Sequence, residues 1–198
     1  MLSKYKESFL PIVSIVARPF MSVHPNTISI IGFLFSVVFA LLLIGGHVWW
    51  AVLSFVGVLF DTLDGYIART TGRASAFGGF LDSTLDRAAD FVIINAFAFA
   101  GLVAWEITIT LSLLGFLVSY TRSRAELAGK GKFVLDVGII ERTERLLFIL
   151  VLLIVQTAFE LGELVGGYNF LELGFLVLIL LSFFTVLQRV HRAYKLLK

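Results

Sequence analysis

The sequence predicts an all-α integral membrane protein, six transmembrane helices preceded by an amphipathic helix lying in the membrane interface. Three observations point there. Of 198 residues, 59% are hydrophobic and 15% charged, and the mean hydropathy is +0.96, a composition suited to lipid rather than water. Residues 26–60 contain no charged side chain, and comparable apolar runs recur to the C-terminus. The 16 Lys and Arg residues fall in clusters between alternate runs, as orientation in a bilayer requires.

Residues 1–20 place Leu2, Tyr5, Phe9, Ile12, Val16 and Phe20 at three- and four-residue steps, with Lys4, Lys6, Glu7, Ser14 and Arg18 elsewhere. That stripe predicts an interfacial segment, interrupted at Pro11 and Pro19. Residues 21–198 then form the six-span membrane domain. Gly45-Gly46-His47 divides the uncharged stretch into spans at 26–45 and 48–69. Further spans are expected at 79–103, 106–127, 139–161 and 170–194. With no cysteine in the chain, disulfides, zinc thiolates and cysteine nucleophiles are excluded.

In this frame every Lys and Arg lies on one side, while the opposite loops carry only Glu106, Glu160, Glu163 and Glu172. A multi-pass protein of the cell membrane with both termini in the cytoplasm is expected. In spans two to six the strictly uncharged runs are only 13 to 16 residues, too short for about 30 Å of hydrocarbon at 1.5 Å per residue. Each helix must be completed at its cytoplasmic end by charged residues, which face protein or water because lipid would cost several kcal/mol each. A polar cavity open to the cytoplasm is the expected result.

Within residues 61–86 stand Asp61, Asp64, Asp82 and Asp86. Asp61 and Asp64, three apart, share one face of one helix; Asp82 and Asp86, four apart, share one face of the next. Four carboxylates brought together at low dielectric repel one another unless cations lie between them. Hard divalent ions, Mg2+ or Mn2+, suit such oxygen donors. A purely structural pairing with Arg69, Arg73 and Arg87 is the weaker reading, because acids this deep in a membrane are usually functional.

Written with spacings, the stretch is D61-x2-D64-G65-x2-A68-R69-x8-G78-x3-D82-x3-D86. It resembles the signature of the CDP-alcohol phosphotransferases at all its fixed positions. The resemblance implies a site for two metal ions that bind the diphosphate of a CDP-linked lipid, and a fourth acid acting as base. It makes Asp61, Asp64 and Asp82 metal ligands, with Asp86 also near the second ion and able to accept a proton from an attacking hydroxyl. Gly65 and Gly78 would let the nucleotide approach the helix backbones, and Arg69 would fork onto a phosphate. Asn26, in H-P-N-T, resembles the family's nucleotide contact and is also a candidate helix cap. A homodimer is expected from the same resemblance, and no nucleic-acid partner.

The acceptor must be read from the second half. Arg122 and Arg124, Arg142 and Arg145, and Arg189 and Arg192 stand at the cytoplasmic ends of three spans, and converging guanidinium groups suit a phosphate ester. The E-R-T-E-R-L and Q-R segments resemble the branch that makes phosphatidylinositol phosphate or archaetidylinositol phosphate. Carried over, Arg142, Arg145 and Arg189 would bind the acceptor phosphate, with Arg124 and Lys132. Anchoring at the positive-inside face is the plain alternative for any one of them. The expected reaction is transfer from CDP-diacylglycerol or CDP-archaeol to inositol phosphate with release of CMP. Glycerol 3-phosphate is the alternative acceptor. A cation transporter is a distant second class, which would require acids reachable from both faces and broken helices or repeats.

Overall fold

Caps and glycines set the ends of the helices in the computed structural model, which describes residues 14, 16–59 and 61–198, and the side chains of all of these but Leu59, Asp61, Thr62 and Val165. The interfacial segment expected over 1–20 lies mostly outside the described residues; its end is a short helical turn, Arg18–Phe20. There follow α1 (Pro25–Ile44), α2 (Val48–Leu59), α3 (Asp61–Thr70), α4 (Ala76–Phe99), α5 (Trp105–Ala128), α6 (Arg142–Phe159), a hairpin of β1 (Glu163–Val165) and β2 (Tyr168–Asn169), and α7 (Phe170–Leu197). Among the described residues three stretches, α1, Val48–Thr70 and α7, are long and apolar enough to cross a membrane on their own composition.

The helices fall where the apolar runs predict, with differences at their ends that have local causes. Helix α4 starts at Ala76 rather than 79, because the Ser75 hydroxyl accepts from the Gly78 amide at 3.0 Å and so caps it; it ends at Phe99, ahead of Gly101 at φ +69°. Helix α6 starts at Arg142 rather than 139, where Glu141 and Glu144 form a reciprocal capping box. The hairpin is not among the sequence-based expectations. Its turn, Gly166-Gly167, takes φ +61° and +83°, the positive values that a tight two-residue hairpin turn needs and glycine supplies.

The chain folds as two units that meet in sequence at Ala100 and Gly101. In the first, α1 packs against α2, α3 and α4. Phe39 of α1 is fully buried and meets Phe55 edge-on at 5.6 Å and Phe97 at 6.2 Å. Gly57 receives the Phe35 ring; a Cβ there would lie 2.1 Å from it. A second cluster of Ala17, Ile28, Leu63 and Ile67 joins the N-terminal turn to α1 and α3. It fixes the faces of both helices that carry polar residues.

In the second unit α5 and α6 both pack on α7. Gly174 accommodates Leu152, whose side chain would stand 2.3 Å from a Cβ. At the same end of α7, Glu172 accepts from the Ala104 amide at 3.1 Å and Asn169 donates to Leu102 O at 3.0 Å. These bonds tie the segment before α5 to the start of α7.

Candidate active site

In the first unit the polar residues gather where α3 gives way to α4. Helix α3 closes with Gly72 at φ +68° and a bond from Arg73 N to Ala68 O, a helix stop that only a residue tolerant of positive φ completes easily. The chain turns through Arg73, Ala74 and Ser75 and enters α4 under its serine cap. The last two turns of α3 therefore face the first two of α4, and the start of α1 closes the third side. A cavity of about 200 Å³ lies between them, lined by Asn26 and Ser29 of α1, Asp64, Gly65, Ala68 and Arg69 of α3, Arg73 and Ser75 of the turn, and Gly78 and Asp82 of α4.

Six of the predicted residues, Asn26, Asp64, Gly65, Arg69, Gly78 and Asp82, thus border one space. Asp86 sits one turn beyond Asp82, half-buried, with Arg87 Nη1 3.3 Å from its Oδ2. Asp86 does not line the cavity itself. The side chain of Asp61 lies outside the described ones.

Details of the wall correct parts of the sequence reading. His24, not Asn26, caps α1: its Nδ1 accepts from Asn26 N at 3.3 Å. The Asn26 side chain is turned to α4 instead, where a Cβ on Gly78 would come within 3.1 Å of its Oδ1. Gly78 therefore admits Asn26 as well as leaving room over the helix. Ser29 is a residue that the sequence reading missed. It is buried and donates to Asp64 Oδ2. Its place three residues after Asn26, on the same helix face, is the signal that could have found it.

The electrostatics of this cavity have two signs. Asp64 and Asp82 supply carboxylate oxygens for a cation. Arg69 and Arg73, with the N-terminal ends of α1 and α4, supply donors and partial positive charge for an anion. Among the described residues no three His, Asp or Glu side chains are drawn close enough to hold an ion. The fit to Mg2+ or Mn2+ lies in the hard oxygen donors and in the room beside them.

The second unit places the predicted arginines unequally. Arg124 and Lys132 are exposed, and Arg142 is half-buried at the first position of α6. Arg145 is 1% exposed; its guanidinium carbon lies 3.1 Å from where a Cβ on Gly115 would stand. Arg189, 3% exposed, donates from Nε to Val137 O at 2.8 Å and from Nη1 to Val118 O, and its Nη2 stands 3.4 Å from Glu141 Oε1. Arg122 reaches the same Glu141 oxygen at 3.9 Å. Arg189 therefore braces the loop between α5 and α6 from α7, a role that its position in a Q-R pair does not disclose.

The sequence model of the CDP-alcohol phosphatidyltransferases matches residues 22–190. The chain belongs to the CDP-alcohol phosphatidyltransferase family. Among similar proteins is the archaetidylinositol phosphate synthase of Pyrococcus horikoshii, 37% identical over 90% of this chain and 87% of its own. Among solved structures is the phosphatidylinositol phosphate synthase of Mycobacterium tuberculosis with CDP-DAG bound, 29% identical, TM-score 0.72, covering 93% of this chain and 92% of that one. The same enzyme in complex with manganese and citrate matches with TM-score 0.71 at 30% identity, over 93% and 88% of the two chains. The chain is accordingly a membrane enzyme of this family, one of whose members has been seen with a divalent metal.

Proposed function

We propose that this protein transfers the phosphatidyl-type group of CDP-diacylglycerol or CDP-archaeol to inositol phosphate, releasing CMP, in phospholipid biosynthesis. The observation that carries the transfer is the two-signed cavity, where Asp64 and Asp82 stand beside Arg69, Arg73 and two helix N-termini. A metal-bound diphosphate needs both signs at once. The acceptor reading draws on the relatives named archaetidylinositol and phosphatidylinositol phosphate synthase and on the arginine-rich helix ends of the second unit.

In this reading Asn26, Gly65, Arg69 and Gly78 receive the nucleotide and diphosphate. Asp61, Asp64, Asp82 and Asp86 would hold two ions of Mg2+ or Mn2+, whose chemistry is to neutralise the diphosphate and the departing CMP. Arg142, Arg145 and Arg189, with Arg124 and Lys132, hold the phosphate of the acceptor, Arg189 with the N–H groups that its bonds to the loop leave over. Asp86 takes the proton from an inositol hydroxyl; that oxygen forms a bond to the lipid-side phosphorus as the bond to CMP breaks. Placement and charge neutralisation supply most of the acceleration.

The setting belongs to the same proposal. Residues 1–20 lie in the interface, residues 21–198 cross the membrane six times as a homodimer subunit, and the termini and active site face the cytoplasm. CMP release by purified protein tests the activity, with Mg2+, a CDP-lipid and one acceptor per reaction: inositol phosphate, glycerol 3-phosphate, free inositol or serine. Release with inositol phosphate alone is expected. Release only with another alcohol would overturn the acceptor assignment and keep the metal site.

A further inference from the structure

The loop between α5 and α6 has a problem of order. It carries Lys132 and leads directly into Arg142, yet residues 132–141 form neither helix nor strand. Left to itself such a segment would hold neither side chain in place. Its backbone is instead tied down by side chains from the flanking helices. Glu126 Oε1 accepts from Leu135 N at 2.9 Å and from Arg122 Nε at 3.0 Å. Thr185 Oγ1, in the middle of α7, accepts from both Ile139 N at 3.1 Å and Ile140 N at 3.2 Å.

Thr185 is fully buried, and its hydroxyl proton goes to Leu181 O at 2.8 Å. Its lone pairs take the two loop amides, so the hydroxyl has no capacity left for a substrate. Gly138 lies directly over it: a Cβ there would stand 2.7 Å from Thr185 Cγ2. Thr185 thus seats the end of the loop by two hydrogen bonds and a close contact, next to the bond from Arg189 to Val137 O.

We propose that Thr185 is a positioning residue for the acceptor subsite, holding the α5–α6 loop so that Lys132 and Arg142 are presented to a phosphate-bearing acceptor. The inference rests on the acceptor reading above and adds to it the residue that sets acceptor affinity. Valine at this position keeps the shape and the contact over Gly138 but leaves two amides, that of Ile140 buried, without this acceptor. Serine keeps the hydroxyl.

The test is steady-state kinetics of CMP release on full-length Thr185→Val, Thr185→Ser and Glu126→Met, each checked for an intact fold by thermal unfolding in detergent. Thr185→Val is expected to raise the KM for inositol phosphate roughly tenfold or more, as the loss of two hydrogen bonds implies, and to leave the KM for CDP-lipid within twofold. Thr185→Ser restores the acceptor KM, and Glu126→Met, which releases Leu135, shifts it in the same direction as valine. A folded Thr185→Val with an unchanged acceptor KM, or one that raises both KM values equally, overturns the inference while the acceptor reading stands. Wild-type protein that uses no phosphorylated acceptor overturns the acceptor reading, and this inference with it.

Discussion

A carboxylate that is to hold a cation gains from a second contact that fixes its rotamer, and Ser29 gives Asp64 that contact from a neighbouring helix. Replacing Ser29 by alanine removes a hydrogen bond to a charged group without opening a large space. The expected outcome is a ~10- to 100-fold rise in the Mg2+ concentration needed for half-maximal CMP release, with turnover at saturating Mg2+ close to wild type. A titration that superimposes on wild type would remove Ser29 from the site. Asp86 should respond differently. Asp86→Asn keeps the side-chain volume beside Arg87 and removes the base, so turnover should fall by about 10² to 10⁴ at any Mg2+ concentration. Full turnover would assign the proton to another group. The acids were legible in the sequence because charge at regular spacing in an apolar chain is conspicuous. Ser29 was less so, since its place on the helix face of Asn26 is a signal only once that face is known to border the site; Thr185, a hydroxyl in an apolar helix, is no more conspicuous.

Helix contacts raise a second kind of question, because two glycines that look alike in sequence have opposite surroundings. Gly57 of α2 lies under the Phe35 ring, with no room for a methyl group at 2.1 Å. Gly57→Ala should destabilise the first unit by about 1–3 kcal/mol through overpacking, read as a lower unfolding temperature in detergent. Gly78 of α4 faces only the Asn26 and Ser75 oxygens at 3.1 Å, which can yield by a small rotation. Alanine also favours the helix by about 1 kcal/mol. Gly78→Ala should therefore leave the unfolding temperature equal or higher while raising the KM for CDP-lipid several-fold, because Asn26 is displaced from the cavity wall. Equal loss of stability in the two variants would contradict the assignment of Gly78 to the site. The uncharged apolar runs located all six helical stretches, but not where they stop. The capping by Ser75 and by the Glu141–Glu144 pair decided the starts of α4 and α6, and both rest on side chains that sequence alone reads equally well as loop or helix. The Gly166-Gly167 hairpin was overlooked because its flanking strands are only a few residues long and carry no alternation.

Among the described residues, three helical stretches qualify as spans by composition and α4, α5 and α6 do not, and the reason lies in where their charges are. Helix α4 carries Asp82, Asp86 and Arg87 in its first half and Asp90 just past its middle; α5 opens with Glu106 and carries Arg122, Arg124 and Glu126 in its last turns; α6 opens with Arg142, Glu144 and Arg145. The remaining stretch of each carries no charge, which is what a span completed by charged ends that avoid lipid would need. Trp49 and Trp50, near the start of α2, and Trp105, at the start of α5, are exposed at the ends opposite to the basic residues, where aromatic side chains anchor helices at a bilayer surface. Six crossings and three crossings make opposite predictions for two positions. Because the chain has no native cysteine, single cysteines at His47, Thr70, Gly162 and Lys198 can be labelled with a membrane-impermeant maleimide in sealed vesicles of known orientation. With six crossings from a cytoplasmic N-terminus, His47→Cys and Gly162→Cys react from outside, and Thr70→Cys and Lys198→Cys only from the cytoplasmic side. With three crossings His47 and Thr70 behave the same way, but Gly162 becomes cytoplasmic and Lys198 external. Labelling of Gly162→Cys from the cytoplasmic side would therefore overturn the six-span arrangement.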